Sequence, residues 1–261
     1  MRHNLLRLLP ILLLVIFSFG LIGCQNFNTG IAQSTKKESA VLKILRERSQ
    51  NNNRDSDLDS AGRYWGAEQQ ANPENAEIAV EYGRILRLLG RPDEAVHILL
   101  GFYERDKKHV GVVRELGKAL AASDSLGKAL TVLGRAKQLD PTDISVQSAL
   151  GIVHDKMGNH ALAQGMYRAA LVLDPKNVML LNNLGLSFAL SGNLDIALDT
   201  LRKASSYEDA GPEVSQNIAL VLAAKGDLEK AGEILKEGAT PENIKNNRQF
   251  LEDNFAPDNP E

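Results

Sequence analysis

Small and apolar residues recur every 34 residues from position 61 onwards. One column is alanine in every copy: Ala61, Ala95, Ala129, Ala163, Ala197 and Ala231. A second column is small in every copy: Gly83, Gly117, Gly151, Gly185 and Ala219. A large residue stands four positions after each alanine: Trp65, Leu99, Leu133, Tyr167, Leu201 and Leu235. A period of this length is typical of chains that repeat one small structural unit.

The repeat is most complete in ALGIVHDKMGNHALAQGMYRAALVLDPKN at 149–177. This stretch resembles the tetratricopeptide repeat, a helix–turn–helix hairpin. Because one hairpin cannot bury its apolar face alone, neighbouring hairpins must stack. The resemblance therefore implies an all-α tetratricopeptide-repeat superhelical solenoid over residues 76–245. We predict five complete repeats: 76–109, 110–143, 144–177, 178–211 and 212–245.

Glycine occupies the turn between the two helices in four of these repeats: Gly90, Gly158, Gly192 and Gly226. Asp124 takes this place in the remaining repeat. These turn residues keep the 34-residue register along the chain without an insertion.

Two segments flank the complete repeats. Residues 59–75 resemble the second helix of an incomplete repeat. At the other end, TPENIKNNRQFLEDNF at 240–255 predicts a capping helix. Thr240 suits its N-cap and Pro241 its first helical position. We interpret residues 256–261 as a tail.

The first 23 residues have the pattern of an export signal. Arg2 and Arg7 provide a basic start, and the apolar stretch from Leu8 to Ile22 is shorter than the roughly 20 residues that a membrane span needs. The sequence LIGC at 21–24 resembles a bacterial lipobox, which predicts removal of residues 1–23 and lipidation of Cys24. The alternative is a short buried or uncleaved anchor helix in which Cys24 is incidental.

Cys24 is the only cysteine, so the sequence excludes an intrachain disulfide and any other thiol nucleophile. More than one acyl chain on Cys24 would give a lasting membrane anchor. Residues 25–58 are mostly polar, and with Cys24 we interpret them as a flexible tether between lipid and folded domain. The formal net charge of −3 argues against a nucleic-acid partner.

Few residues suit catalysis or metal binding. His154 and His160 could be imagined as metal ligands, but Gly158 would break the helix between them, so they do not share a helical face. The alternative for His154 is that it fills a place where an aromatic residue often packs. We therefore expect no enzyme activity, no cofactor, no metal and no small-molecule substrate.

Binding of a protein partner is the better hypothesis. The first helices of stacked hairpins line a concave groove, and the polar residues expected there in the last two repeats are Asn182, Asn183, Gln216 and Asn217. Asn183 and Asn217 are one repeat apart, and an amide can both donate to and accept from a peptide main chain. The alternative is that they are polar residues on a wetted helix face.

Cations occupy the corresponding positions in the first two repeats. Arg84, Arg114 and Lys118 would make this half of the groove basic and favour an acidic partner or one with a terminal carboxylate. The alternative is that these cations form ion pairs with Glu81 and Glu115.

A narrower resemblance involves NLGLSFALSGNL, SQNIALVLAAKG and the ending at 240–255. Together with the lipobox and the polar tether, they are similar to the TadD-like tetratricopeptide lipoproteins of tight-adherence (Flp) pilus assembly. That resemblance implies a pilotin-like assembly factor on the periplasmic face of the outer membrane, with the pilus secretin or another Tad secretion component as partner. The alternative is a general envelope lipoprotein that acts as an adaptor for outer-membrane protein assembly or peptidoglycan hydrolases.

Overall fold

The computed structural model describes residues 54–236, with side chains from Leu58 onwards. Within this range every regular element is an α-helix. Cys24, most of the predicted tether, the predicted capping helix at 240–255 and the tail lie outside the described residues. None of the helices within 54–236 combines the length and apolar character that crossing a membrane requires.

The described helices form one leading helix and five helix pairs. The leading helix is α1 (Arg54–Ala71). The pairs are α2 (Ala76–Leu88) with α3 (Pro92–Arg105), α4 (Val110–Ala122) with α5 (Leu126–Leu139), α6 (Ile144–Lys156) with α7 (His160–Leu173), α8 (Val178–Leu190) with α9 (Leu194–Ser205), and α10 (Pro212–Ala224) with α11 (Leu228–Lys236). The first helix of each pair begins at the first residue of a predicted repeat. The all-α tetratricopeptide class is confirmed.

The described residues fall into two compact units. We call residues 54–153 the N-terminal unit and residues 154–236 the C-terminal unit. The N-terminal unit contains α1 to α5 and most of α6, and the C-terminal unit begins at His154 and contains α7 to α11.

Helix α1 corrects one predicted boundary. It begins at Arg54, whereas the sequence placed the start of the partial repeat at 59 and assigned residues 54–58 to the tether. Leu58 packs against a buried cluster of Ala61, Trp65 and Ile85. Burial of this apolar side chain favours helix one turn earlier than the polar composition suggested.

Several hairpins close around a glycine on their first helix. A methyl group added to Gly117 would lie 2.6 Å from Leu133 Cδ2, and one added to Gly185 would lie 2.7 Å from Leu201 Cγ. Carbon atoms normally approach to about 3.5–4.0 Å. Leu133 and Leu201 are completely buried. Glycine at 117 and 185 therefore lets the second helix approach to a distance at which a methyl group would force the leucine to shift.

Polar residues fix where the first helices begin. Asn75 Oδ1 accepts hydrogen bonds from the backbone N–H groups of Glu77 and Ile78, at 3.0 and 3.2 Å. Asn177 Oδ1 accepts from Leu180 N at 3.0 Å. Such caps satisfy backbone donors that have no partner within the helix.

The turns between paired helices require a left-handed backbone. Gly158 has φ of 76°, and Gly90, Gly192 and Gly226 are similar at 73°, 82° and 90°. Asp124 adopts φ of 60° at the equivalent position. Aspartate is one of the few residues with a side chain that tolerates this region, so the turn keeps its shape without glycine.

Replacing Ala163 by leucine tests the packing of the alanine column. Ala163 on α7 is 0% exposed, so the added carbons must displace buried neighbours, and we expect a loss of about 1–3 kcal/mol in unfolding free energy. Ala169→Leu is the matched control, because Ala169 is exposed on the same helix. Urea unfolding monitored by circular dichroism measures both; equal stability of the two variants would contradict the close packing.

Candidate partner-binding surfaces

The predicted groove residues lie on first helices in both compact units. Arg84 is on α2, and Arg114 and Lys118 are on the neighbouring helix α4 of the N-terminal unit. Asn182 and Asn183 are on α8, and Gln216 and Asn217 are on α10 of the C-terminal unit, where α8 and α10 are also in contact. The residues therefore form two groups, one in each unit.

In the C-terminal unit, the structure joins Asn182 to Asn217. Asn217 Nδ2 donates a hydrogen bond of 2.8 Å to Asn182 Oδ1. The two residues are only 9% and 6% exposed, whereas Asn183 and Gln216 are half-buried. Asn217 therefore contacts Asn182 rather than Asn183, and the predicted binding of a peptide main chain by Asn183 and Asn217 stays a prediction.

The asparagine pair has hydrogen-bonding capacity beyond its own bond. An amide group has two N–H donors and a carbonyl oxygen with two lone pairs. The bond uses one donor of Asn217 and one lone pair of Asn182, so the pair still offers both donors and acceptors. This is the combination that the main chain of an extended peptide requires.

In the N-terminal unit, all three predicted cations are in ion pairs. Arg84 Nη2 lies 2.7 Å from Glu81 Oε2, and Lys118 Nζ lies 3.0 Å from Glu115 Oε1. The alternative from the sequence, in which these cations form ion pairs with Glu81 and Glu115, therefore describes the contacts of Arg84 and Lys118. Arg114 differs, because its Nη1 pairs with Asp143 Oδ2 at 3.1 Å rather than with Glu115.

Sequence reasoning missed Arg87. Its Nη2 atom lies 3.3 Å from Oε2 of Glu115, so Glu115 contacts two cations, Arg87 and Lys118. Burial acts to raise the pKa of Glu115, but the charges of Lys118 and Arg87 lower it well below the usual range. The one sequence signal for Arg87 is its position between Leu86 and Leu88, in an apolar stretch of α2.

A second buried carboxyl lies in the C-terminal unit. Asp155 Oδ1 accepts a hydrogen bond of 2.7 Å from Ser187 Oγ and lies 2.8 Å from His160 Nδ1. Tyr167 donates its hydroxyl to Asp155 Oδ2 at 3.1 Å. Burial raises the pKa of Asp155, against the opposing effect of His160 and Ser187. The network ties α6, α7 and α8 together at one carboxyl.

This network does not have the geometry of a nucleophilic site. Ser187 and His160 both bond to Asp155, and Ser187 is 0% exposed. A serine nucleophile needs its hydroxyl bonded to the imidazole that removes its proton. Within residues 54–236, no group of three or more histidine, cysteine, aspartate or glutamate side chains could hold a metal ion.

His154 does not join His160 at this network. Burial lowers the pKa of His154, and its Nδ1 atom is buried without a hydrogen-bond partner. This environment is compatible with the alternative that His154 fills an aromatic position. The expected absence of enzyme activity and of metal binding stays a prediction.

Comparison with known proteins agrees with the fold. Residues 148–214 match a family model described as tetratricopeptide repeat. Among curated protein sequences, none matches this chain significantly.

Solved structures of tetratricopeptide proteins resemble the chain over most of its length. TTC0263, a thermophilic TPR protein in Thermus thermophilus, has a TM-score of 0.60 and 22% identity, covering 70% of this chain and 99% of its own. A tetratricopeptide repeat protein from Parabacteroides merdae has a TM-score of 0.61 and 16% identity, covering 82% and 86%. MamA (41-end) from Desulfovibrio magneticus has a TM-score of 0.53 and 19% identity, covering 68% and 97%. At these identities the likeness shows the fold.

Replacing Asp155 by asparagine tests the buried carboxyl. Because the pKa of Asp155 is raised in the folded state, the folded chain binds more protons than the unfolded chain, and the contribution of Asp155 to stability falls as the pH rises. That contribution is complete below the unfolded pKa of about 3.9 and is lost as the pH passes the folded pKa. We therefore expect the stability of wild type relative to Asp155→Asn to be greatest below about pH 3.9 and to fall as the pH rises from there towards neutral.

Urea unfolding over this pH range measures the effect. Asp209→Asn is the matched control, since Asp209 is an exposed aspartate in the same unit. A stability difference between wild type and Asp155→Asn that stays constant, or grows, as the pH rises would contradict the prediction.

Proposed function

We propose that this chain is a lipid-anchored tetratricopeptide scaffold at the periplasmic face of the outer membrane. In this proposal it binds a segment of the pilus secretin and helps the secretin to localise and assemble in tight-adherence (Flp) pilus biogenesis. The tetratricopeptide fold supports a scaffold, and the resemblance to TadD-like lipoproteins supports the choice of partner. The observation that carries the binding hypothesis is the Asn182–Asn217 pair on adjacent first helices.

The pair favours an extended polypeptide as the bound species. Asn182 and Asn217 fix each other through their 2.8 Å bond, so neither amide must be ordered anew when a partner binds. Asn183 and Gln216 stand beside them and are half-buried, which leaves part of each side chain accessible. Amides recognise a main chain through its N–H and C=O groups and tolerate many side chains, as an assembly factor requires.

The anchor would set where the scaffold works. About 30 residues connect Cys24 to the start of α1 at Arg54. At about 3.3 Å per residue, this length of chain reaches at most about 100 Å. The folded repeats could therefore contact a partner well away from the membrane surface while Cys24 stays in the lipid.

Labelling cells with a fatty-acid analogue tests the anchor. We expect the analogue to be incorporated in the wild-type chain and lost in Cys24→Ser, because the lipidated group is the Cys24 thiol. Mass spectrometry of the N-terminal peptide measures it. Incorporation that persists in Cys24→Ser, or that is absent from both chains, would contradict the anchor and leave the scaffold hypothesis standing.

The double variant Asn182→Ala/Asn217→Ala tests partner binding. Loss of two hydrogen bonds of about 1 kcal/mol each should weaken recovery of the secretin about 30-fold. The measurement is quantitative recovery of the pilus secretin with the tagged full-length chain from solubilised envelopes. Equal recovery with wild type and the double variant would rule out the asparagine pair as the contact.

A single variant provides the stability control. Asn182→Ala leaves Asn217 Nδ2 without its acceptor, which costs about 1–3 kcal/mol for a buried group, whereas the double variant removes both partners. Asn217→Ala should therefore cost little more once Asn182 is already alanine.

Recovery of outer-membrane assembly factors or peptidoglycan hydrolases in place of the secretin would favour the general envelope adaptor.

A further inference from the structure

The outer side of helix α7 is apolar. Leu162, Val172 and Leu173 are exposed there by 55%, 79% and 46%. Two exposed alanines and a half-buried glycine lie among them, at spacings that place all six residues on one side of the helix. Adjoining apolar side chains gain free energy when another surface covers them. We call these residues the outer face of α7: Ala161, Leu162, Gly165, Ala169, Val172 and Leu173.

The outer face of α7 contains no charged residue. The only lysine, arginine, aspartate or glutamate in this helix is Arg168. Its guanidinium carbon lies 5.3 Å from the centroid of the Phe188 ring on α8, which is a cation–π distance. Arg168 is therefore turned towards a neighbouring helix, and the outer face has no charge that would favour contact with water.

The other second helices have charges at the same repeat positions. Corresponding positions are 34 residues apart, so Leu162 corresponds to Glu94 on α3 and Lys128 on α5. Because those helices form the same hairpin with charged residues, the hairpin does not need the apolar residues of α7. They indicate a contact outside the hairpin. The charged residues at positions that correspond to the outer face are Asp93, Glu94, Glu104 and Arg105 on α3, Lys128 and Arg135 on α5, and Asp195, Asp199 and Lys203 on α9.

The outer face is complementary to its own reverse. When two α7 helices pack antiparallel about a two-fold axis at the middle of the outer face, Leu162 of one copy faces Val172 of the other. Gly165 faces Ala169 in the same way. The space above Gly165 is open, since an added methyl group would have no atom within 4 Å. Small residues therefore meet at the centre, where the helices come closest, and large residues pack on either side.

We propose that two copies of this chain pair through the outer faces of their α7 helices, antiparallel and about a two-fold axis. Such an interface uses the same surface on both copies, so each outer face covers the other. An antiparallel pair also sets the positive N-terminal end of each helix beside the negative C-terminal end of the other. The outer face lies on a second helix, whereas the asparagine pair lies on first helices, so the pairing does not depend on the secretin.

The size of the outer face determines how strong the pairing is. Helix α7 has 14 residues. It is therefore about 21 Å long, and a strip about 10 Å wide along it covers about 200 Å². A standard stable interface buries about 800 Å² on each partner. We therefore expect a weak dimer, which is best detected by a reaction that traps it.

Disulfide trapping tests the antiparallel arrangement. Leu162→Cys and Val172→Cys are placed in separate full-length chains with different tags, which are co-expressed, oxidised and separated on non-reducing gels. Position 162 of one copy faces position 172 of the other, whereas the two copies of position 162 lie about 15 Å apart along the helices. Because a disulfide requires Cα atoms within about 7 Å, we expect the mixed dimer in at least about fivefold excess over either same-residue dimer.

Two glutamate variants test the contact at the centre of the interface. Ala169→Glu, added to both cysteine chains, brings carboxylates into an apolar interface, and we expect the yield of mixed dimer to fall at least about tenfold. Gly101→Glu is the matched control, since Gly101 is exposed at the same repeat position on α3 and an added methyl group there meets no atom within 4 Å. Each cysteine chain co-expressed with wild type controls for cross-links through Cys24.

The outcomes decide between a second copy and another occupant. Excess mixed dimer that Ala169→Glu removes and Gly101→Glu preserves would support the pairing, even if the secretin is not recovered. Equal yields of mixed and same-residue dimers, or equal loss in both glutamate variants, would overturn it. Cross-links from positions 162 and 172 to a different protein alone, or none at all, would also overturn it, even if the secretin is recovered through the asparagine pair.

Discussion

A buried leucine on the second helix packs directly on a glycine of the first helix, as Leu133 does on Gly117 and Leu201 on Gly185. This contact sets how closely the two helices of these hairpins approach. At Gly117 and Gly185 the two helices are so close that an added methyl group would lie 2.6 and 2.7 Å from the leucine side chain. The first helices of successive repeats also contact each other within each unit. Polar residues on the first helices of neighbouring repeats then come into contact. The contacts of Asn182 with Asn217 and of Arg87 with Glu115 are consequences of this packing.

Both compact units use buried polar groups, but in different ways. The asparagine pair of the C-terminal unit is neutral and internally bonded, so it suits a polar main chain without favouring either charge. In the N-terminal unit, the buried carboxylate of Glu115 contacts two cations, Arg87 and Lys118. Asp155 holds three helices together and has donors on both oxygens, so its role is structural. Polar residues on one repeat fold thus join neighbouring first helices through a neutral pair in one place and through charged groups in others.

The 34-residue period predicted the helix starts because buried small residues produce it. Only glycine, or alanine at Ala219, occupies the column that the second helix covers, so the column stays visible in the sequence. Polar contacts left no such signal. The 34-residue repeat aligns Asn183 with Asn217, but it does not show which residue of α8 contacts Asn217. Neighbouring residues on a helix point about 100° apart, and the contact is made by Asn182. The repeat also did not indicate that Arg114 pairs with Asp143 rather than with Glu115. Nothing in the sequence distinguished Arg87 from the other charged residues as a contact of Glu115.

Site-specific photo-cross-linking tests most directly whether the first helices of the C-terminal unit hold a polypeptide. A photoreactive amino acid at position 183 lies beside the asparagine pair on α8, whereas one at position 172 replaces Val172, which is 79% exposed on the second helix α7. We expect a covalent adduct with the pilus secretin from position 183 and none from position 172, at equal levels of the full-length chain. An adduct from position 172 alone, or equal yields from both positions, would contradict binding by the first helices.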